Sequence, residues 1–138
     1  MEQLVRDAMV PDPLSLDAGA AAQEAGEALA RPEVRAVFVC EGGRLTGVVT
    51  RKTLVREVVA TGRDPASTPL GAIAEPPIFV LDADGSLDEA FAELEARDLE
   101  RVPVVEEGRL VGVLSRSAVQ RRLAEDEPPV EDPEGTAV

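Results

Sequence analysis

VRAVFVCEGGRLTGVVTRKTLVRE, residues 34–57, and LERVPVVEEGRLVGVLSRSAVQRR, residues 99–122, align without a gap. The offset is 99 − 34 = 65 throughout. Val37 matches Val102, Val39 matches Val104 and Glu41 matches Glu106. Gly43-Arg44-Leu45 matches Gly108-Arg109-Leu110, Gly47-Val48 matches Gly112-Val113, and Arg51 matches Arg116. The register extends upstream, where Leu16-Asp17 matches Leu81-Asp82 and Leu29 matches Leu94. One register held this long marks an internal repeat. A unit of about 60 residues is marginal alone, so two copies are expected to bury a shared face.

Each copy reads in the same order. Short apolar runs at Leu14–Leu16 and Ile78–Leu81 are expected strands. A helix follows each. Ser86 precedes Glu89 by three residues, a capping-box pattern, and Leu87, Ala90, Phe91 and Leu94 form one apolar stripe. In the first copy Asp17 is the expected cap of an Ala-rich helix reaching about Arg31. Two β-branched runs come next, Val34–Glu41 and Arg44–Val49, joined by Gly42-Gly43 as a hairpin. Glu107-Gly108 is the counterpart turn. A last helix starts after Thr50 and after Ser115. The expected unit is therefore β-α-β-β-α, with repeat 1 over 5–60, a turn-rich linker over 61–69 and repeat 2 over 70–123. Ala22, Gly26 and Leu29 stand where repeat 2 has Leu87, Phe91 and Leu94. That shallow face suits either close approach of a second helix, for instance from another subunit, or a less filled surface.

The whole chain has 138 residues and a formal charge of −13, from 14 basic and 27 acidic side chains. Residues 124–138 carry six of the acids, no base and three prolines, and are expected to form a disordered acidic tail. Apolar residues make up 44%, enough for a core. The acidic balance argues against nucleic-acid binding, which needs a positive footprint. No apolar run approaches the ~18 residues of a membrane span, and no signal peptide is read at the start, so the expected compartment is the cytoplasm. The chain contains no His and a single Cys, Cys40. Histidine acid–base chemistry and histidine metal sites are excluded, and no intrachain disulfide can form. Cys40 reads as a small buried hydrophobe on an apolar strand.

The hairpins followed by GVVTRKTL and GVLSRSAV resemble the CBS domain, named after cystathionine β-synthase. RVPVVEEGRLVGVLS, with Pro103 after an apolar residue, is especially close to the family pattern, and ATGRDPASTPLGAI resembles the linker of small stand-alone bacterial CBS pairs. The resemblance implies an α/β fold in which two β-α-β-β-α units pack through their sheets with pseudo-twofold symmetry. It implies two clefts between the units that often take AMP, ADP, ATP or S-adenosylmethionine as regulatory ligands, with no cofactor required. It also implies homodimers formed through the helices, an unidentified protein partner, and a role in sensing rather than catalysis.

The family's ligand signature is Gly, an apolar residue, any residue, Thr or Ser, and an Asp three positions later. Repeat 1 offers Gly47, Thr50 and then Thr53 at the Asp position; repeat 2 offers Gly112, Ser115 and then Ala118. Both copies lack the carboxylate that would accept from the ribose hydroxyls. Charge-assisted hydrogen bonds are about twice as strong as neutral ones, so adenosine recognition is weakened. Basic residues follow each junction: Arg51, Lys52 and Arg56, then Arg116, Arg121 and Arg122. A cation in a first helical turn opposes the helix dipole unless an anion sits there. Arg51, Lys52, Arg116 and Ser117 are therefore candidate anion contacts, against the plainer reading of solvated charge. By resemblance, the adenine slot is lined by Val10, Pro13, Val37 and Phe38 in repeat 1, and by Pro76, Ile78, Val102 and Pro103 in repeat 2. Thr50 and Ser115 also suit simple helix N-caps. The expected function is a non-catalytic regulatory module binding an adenine nucleotide or related phosphate-bearing metabolite. The alternative is a ligand-free dimerisation and interaction module. Carboxylates abound, but no nucleophile–base pair, metal cluster or P-loop supports an enzyme.

Overall fold

The computed structural model describes residues 2–126. The first copy opens with helix α1 (Val5–Ala8) and strand β1 (Val10–Pro11) as a lead-in, followed by β2 (Ser15–Asp17), α2 (Ala22–Leu29), β3 (Val37–Glu41), β4 (Arg44–Val49) and α3 (Arg51–Leu54). A π-helical turn over Val55–Val59 prolongs α3, and a 3₁₀ turn spans Leu70–Ala72. The second copy comprises β5 (Leu81–Asp82), α4 (Leu87–Ala96), β6 (Arg101–Glu106), β7 (Arg109–Ser115) and α5 (Arg116–Asp126). The strands form one sheet in the order β2-β3-β4-β7-β6-β5, with β1 added on β7. This is the α/β tandem-repeat fold expected from the sequence.

Both hairpins turn through two left-handed residues. Gly42 and Gly43 have φ of 60° and 85°; Glu107 and Gly108 have 53° and 82°. Two positive φ values in a two-residue loop match the right-handed twist of the flanking strands. The strands these turns join are apolar and buried on the core side, which fixes their register.

The lead-in segments exchange between copies. The backbone N–H groups of Val5 and Arg6 donate to Gly85 and Ala83 of the second copy, at 2.9 and 3.0 Å. Those of Leu70 and Gly71 donate to Ala20 and Ala18 of the first, both at 2.8 Å. These are the same bonds shifted by 70 − 5 = 65 residues. Val5 is accordingly buried in the second core with Leu87, Leu94, Val102, Val104, Leu114 and Val119. Leu70 and Ile73 are buried in the first core with Leu29, Val37, Val39, Val49 and Val58. Each core is completed by a segment that leads into the other copy.

Several local expectations change. Asp17 does not cap α2: its carboxylate accepts from the Gly19 N–H at 2.8 Å, closing a turn just before the helix. Helix α2 starts at Ala22, with Glu24 accepting from the Ala21 N–H at 3.3 Å, and ends at Leu29 rather than near Arg31. The expected strand over Ile78–Leu81 shrinks to Leu81–Asp82, because Pro76 and Pro77 offer no N–H to a ladder and Ile78 stays 85% exposed. The first hairpin arm starts at Val37, not Val34. Ser86 does cap α4, accepting from the Glu89 N–H at 3.4 Å. Gly26 faces Leu54 of α3 in the same chain, which accounts for part of the shallow face without a second subunit. The acidic segment's first residues, 124–126, are helical as the end of α5; 127–138 lie outside the described residues.

Candidate functional site

One cavity of about 470 Å³ opens between the two copies. The cross-strand pairs Phe38–Val48 and Pro103–Val113 occupy matching places in the two hairpins, and all four residues line it. Val10, Pro13, Pro76 and Ile78 come in from the lead-in segments. Thr50 and Ser115, at matching places in the two copies, also line it. Residues expected for both clefts thus border this cavity. Phe38 stands where the second copy has Pro103, so the two walls are unequal in bulk.

Nine of the expected ligand residues reach this cavity: Val10, Pro13, Phe38, Thr50, Pro76, Ile78, Val102, Pro103 and Ser115. Six do not line it. Val37 points into the first core, with no exposed surface. Thr53 is 1% exposed and turned onto Thr50. The Thr50 N–H donates to Thr53 Oγ1 at 3.0 Å, and the Thr53 N–H donates to Thr50 Oγ1 at 3.3 Å. This reciprocal cap is the reason Thr53 is buried: its hydroxyl is satisfied by the start of its own helix. In the second copy the Ala118 N–H donates to Ser115 Oγ at 3.2 Å. Ala118 has no side chain to answer, so that cap is one-sided.

The expected anion contacts Arg51, Lys52, Arg116 and Ser117 also lie outside the cavity lining. Arg51 donates to the Arg31 carbonyl at 2.8 Å, just beyond the end of α2. A cation there meets the negative pole of that helix, so its position in the first turn of α3 has a structural reason. Arg116 reaches Asp98 at 3.3 Å and Glu100 at 3.6 Å. Both arginines are engaged within the chain.

The sequence motifs did not point to Glu33, Arg35, Glu75 and Arg101, which supply the cavity's charge. Glu75 is ion-paired with Arg56. Glu33, Arg35 and Arg101 make no side-chain hydrogen bond or ion pair among the described residues. Arg35 and Arg101 flank the apolar runs of β3 and β6, and that flanking place was their only signal. Among the described residues no group of three His, Cys, Asp or Glu is arranged to hold a metal ion, and no helix is long and apolar enough to cross a membrane.

Comparison with known proteins agrees with this architecture. Hypoxic response protein 1 of Mycobacterium tuberculosis is 33% identical over 94 residues, 67% of this chain and 66% of its own length. The match thus spans about two thirds of that relative. The Vibrio cholerae protein AcuB superposes with a TM-score of 0.77 at 20% identity, covering 94% of this chain and 100% of its own. CBSX2, solved in complex with AMP, superposes with a TM-score of 0.69 at 23% identity, covering 88% of this chain and 96% of its own. The CBS domain model matches twice, over residues 5–60 and 70–125. The chain therefore belongs to the CBS domain family, as a tandem pair of the type that forms regulatory modules.

Proposed function

We propose that this CBS pair is a non-catalytic regulatory module that binds an adenine nucleotide, or another phosphate-bearing metabolite, in the cavity between its repeats. The observation that carries the reading is the shared cavity itself. Its ~470 Å³ falls among small-molecule sites, which run from roughly 300 to 1,000 Å³. Its walls are largely apolar and suit a base, while two unpartnered arginines suit an anion. The likeness to CBSX2, whose crystal contains AMP, supports the same class of ligand. AMP, ADP, ATP and S-adenosylmethionine are the candidates, acting as regulators in the cytoplasm rather than as cofactors.

No catalytic role is assigned to the site. Thr50 and Ser115 are its only hydroxyl-bearing side chains, and both serve as helix caps. Val55 and Val59 are 58% and 72% exposed and lie one turn apart after α3, an apolar pair suited to a homodimer formed through helices. Thermal unfolding against the four ligands tests the reading. A ligand at 100 times its Kd stabilises by about 2.7 kcal/mol, several degrees for a domain of this size. A selective rise is expected; a flat response at millimolar ligand overturns it. The second reading, a ligand-free interaction module, is favoured by the missing carboxylates at Thr53 and Ala118 and is the one a flat response would leave.

A further inference from the structure

The two copies carry opposite charges at one matched place beside the cavity. Glu100 in the second copy matches Arg35 in the first, since 100 − 65 = 35. Glu100 closes the start of α5. Its carbonyl accepts from the Arg116 N–H at 2.8 Å, its Oε1 accepts from the Ser117 N–H at 3.4 Å, and its Oε2 lies 3.6 Å from Arg116 Nε. The next N–H, of Ala118, is taken by Ser115 Oγ. A helix start ordinarily offers free N–H groups and a partial positive charge to an anion. Here the chain supplies the anion itself.

Arg35 presents the opposite arrangement. It lines the cavity, is exposed, and has no partner for its guanidinium among the described residues. Arg101 is the only other cavity arginine, and it too is unpartnered. It is the strand partner of Ser115, so it lines the second-copy wall. The arginines near the helix starts are all engaged: Arg51 with Arg31, Arg56 with Glu57 and Glu75, Arg116 with Asp98 and Glu100. With Glu75 neutralised by Arg56, the unpartnered charge of the lining is two cations against Glu33.

We infer that the cavity holds one anionic ligand per chain, its anionic group seated on Arg35 and Arg101, and that Glu100 bars a second anion from the start of α5. The inference rests on the nucleotide-binding reading above and names the residues that decide charge recognition and stoichiometry. Charge-assisted guanidinium contacts carry the anion, so the helix hydroxyls need not.

Isothermal titration of the full chain with AMP tests it, using Arg35→Gln, Arg101→Gln and Glu100→Gln beside the unsubstituted protein. All three side chains are exposed, and unchanged melting temperatures confirm that the variants fold. One AMP per chain is expected for the unsubstituted protein. Arg35→Gln and Arg101→Gln should each weaken it about tenfold or more, and Glu100→Gln should admit a second, weaker AMP. Two equal AMP sites in the unsubstituted chain, undiminished affinity in Arg35→Gln, or a stoichiometry of one in Glu100→Gln overturns the inference and leaves nucleotide binding standing. Absence of binding by AMP, ADP, ATP and S-adenosylmethionine to the unsubstituted chain overturns both.

Discussion

Arg44 and Arg109 are strand partners of one another and occupy the same place in the two copies, 109 − 44 = 65 positions apart. The pseudo-twofold axis therefore passes between them. On either side the Leu45 N–H donates to the Gly108 carbonyl at 3.1 Å, and the Leu110 N–H donates to the Gly43 carbonyl at 3.2 Å. This is the only point at which β4 and β7 pair. Further along, Val10 pairs with Val113 and Glu75 with Val48, again the same contact shifted by 75 − 10 = 65. The lead-in segments thus take the places that direct strand pairing would have filled. Val10, Glu75, Val48 and Val113, the residues of these two contacts, all line the cavity.

Because each core contains a residue from the other copy's lead-in, the two repeats should unfold together. Leu70 is fully buried in the first core. Leu70→Ala removes buried methyl groups and leaves a cavity, which costs about 2–5 kcal/mol. Val5→Ala makes the corresponding lesion in the second core, at a smaller cost because fewer atoms are lost. Calorimetry should show one lowered transition in each variant. Two separate transitions, with only one displaced, would mean that the exchange does not couple the copies.

Gly47 and Gly112 are the motif glycines, and the exchange explains them. A Cβ at Gly47 would lie 2.7 Å from the Ala74 Cβ and 3.1 Å from the Glu75 carbonyl. One at Gly112 would lie 2.6 Å from the Met9 Sδ and 2.9 Å from the Val10 carbonyl. In both, the crossing lead-in backbone occupies the space. Gly47→Ala and Gly112→Ala should each destabilise by roughly 1–3 kcal/mol, the usual range for overpacking. Met9 can swing aside at Gly112, but the Val10 carbonyl cannot, so both sites keep a contact that only a backbone shift relieves and the two costs should be similar. Urea unfolding measures both; equal stability to the unsubstituted chain would contradict the crowding.

The hairpins and the helices after Thr50 and Ser115 were legible because their signals are local: β-branched runs, Gly turns and capping hydroxyls repeated in register. The cavity's apolar lining was legible for the same reason, since Phe38, Pro103, Thr50 and Ser115 belong to the repeated motif. The exchange of lead-ins was not. Val5 and Leu70 look like any apolar residues, and α1 is a single turn whose support comes from residues 83–87, far along the chain. Asp17 closes a turn instead of capping α2, because an Asp two residues before Gly can do either. Arg35 and Arg101 are not repeated in register, since Glu100 and Ala36 stand at the matching places, and only the assembled cavity distinguishes them from other surface arginines.

Cys40 lies buried on β3, and that burial pushes its thiol above the ordinary range. Asp17 adds to the rise, while a hydrogen bond with Ser15 opposes it. The thiolate is the reactive form, so at pH 8 folded protein should react with iodoacetamide at least about tenfold more slowly than unfolded protein. The sign for stability follows. A raised folded value means the unfolded chain loses its proton first, so stability is fully present at neutral pH. It declines as pH rises through the ordinary thiol value toward the folded one. Cys40→Ser should remove that alkaline decline; equal alkylation rates in the two states would show that Cys40 is not shielded.

Gly26 offers the opposite case to the motif glycines. It lies inside α2, and the space its Cβ would enter is bounded by Leu54 Cδ1 at 3.8 Å, an ordinary van der Waals distance. Its backbone is not among those with positive φ. Glycine inside a helix is less favourable than alanine by roughly 0.8–1 kcal/mol, chiefly through the entropy of the unfolded chain. Gly26→Ala should therefore stabilise the monomer by up to about 1 kcal/mol, and Leu54 should gain a methyl contact. If Gly26 instead seats a helix of a second copy, the added methyl would meet that partner, and the dimer would weaken while the monomer gained. Thermal unfolding combined with light scattering on Gly26→Ala separates the two. A raised melting temperature with unchanged molar mass assigns the glycine to packing against Leu54 alone. A raised melting temperature with reduced mass places α2 in the dimer contact, and a lowered melting temperature would show that the space beside Leu54 is not free.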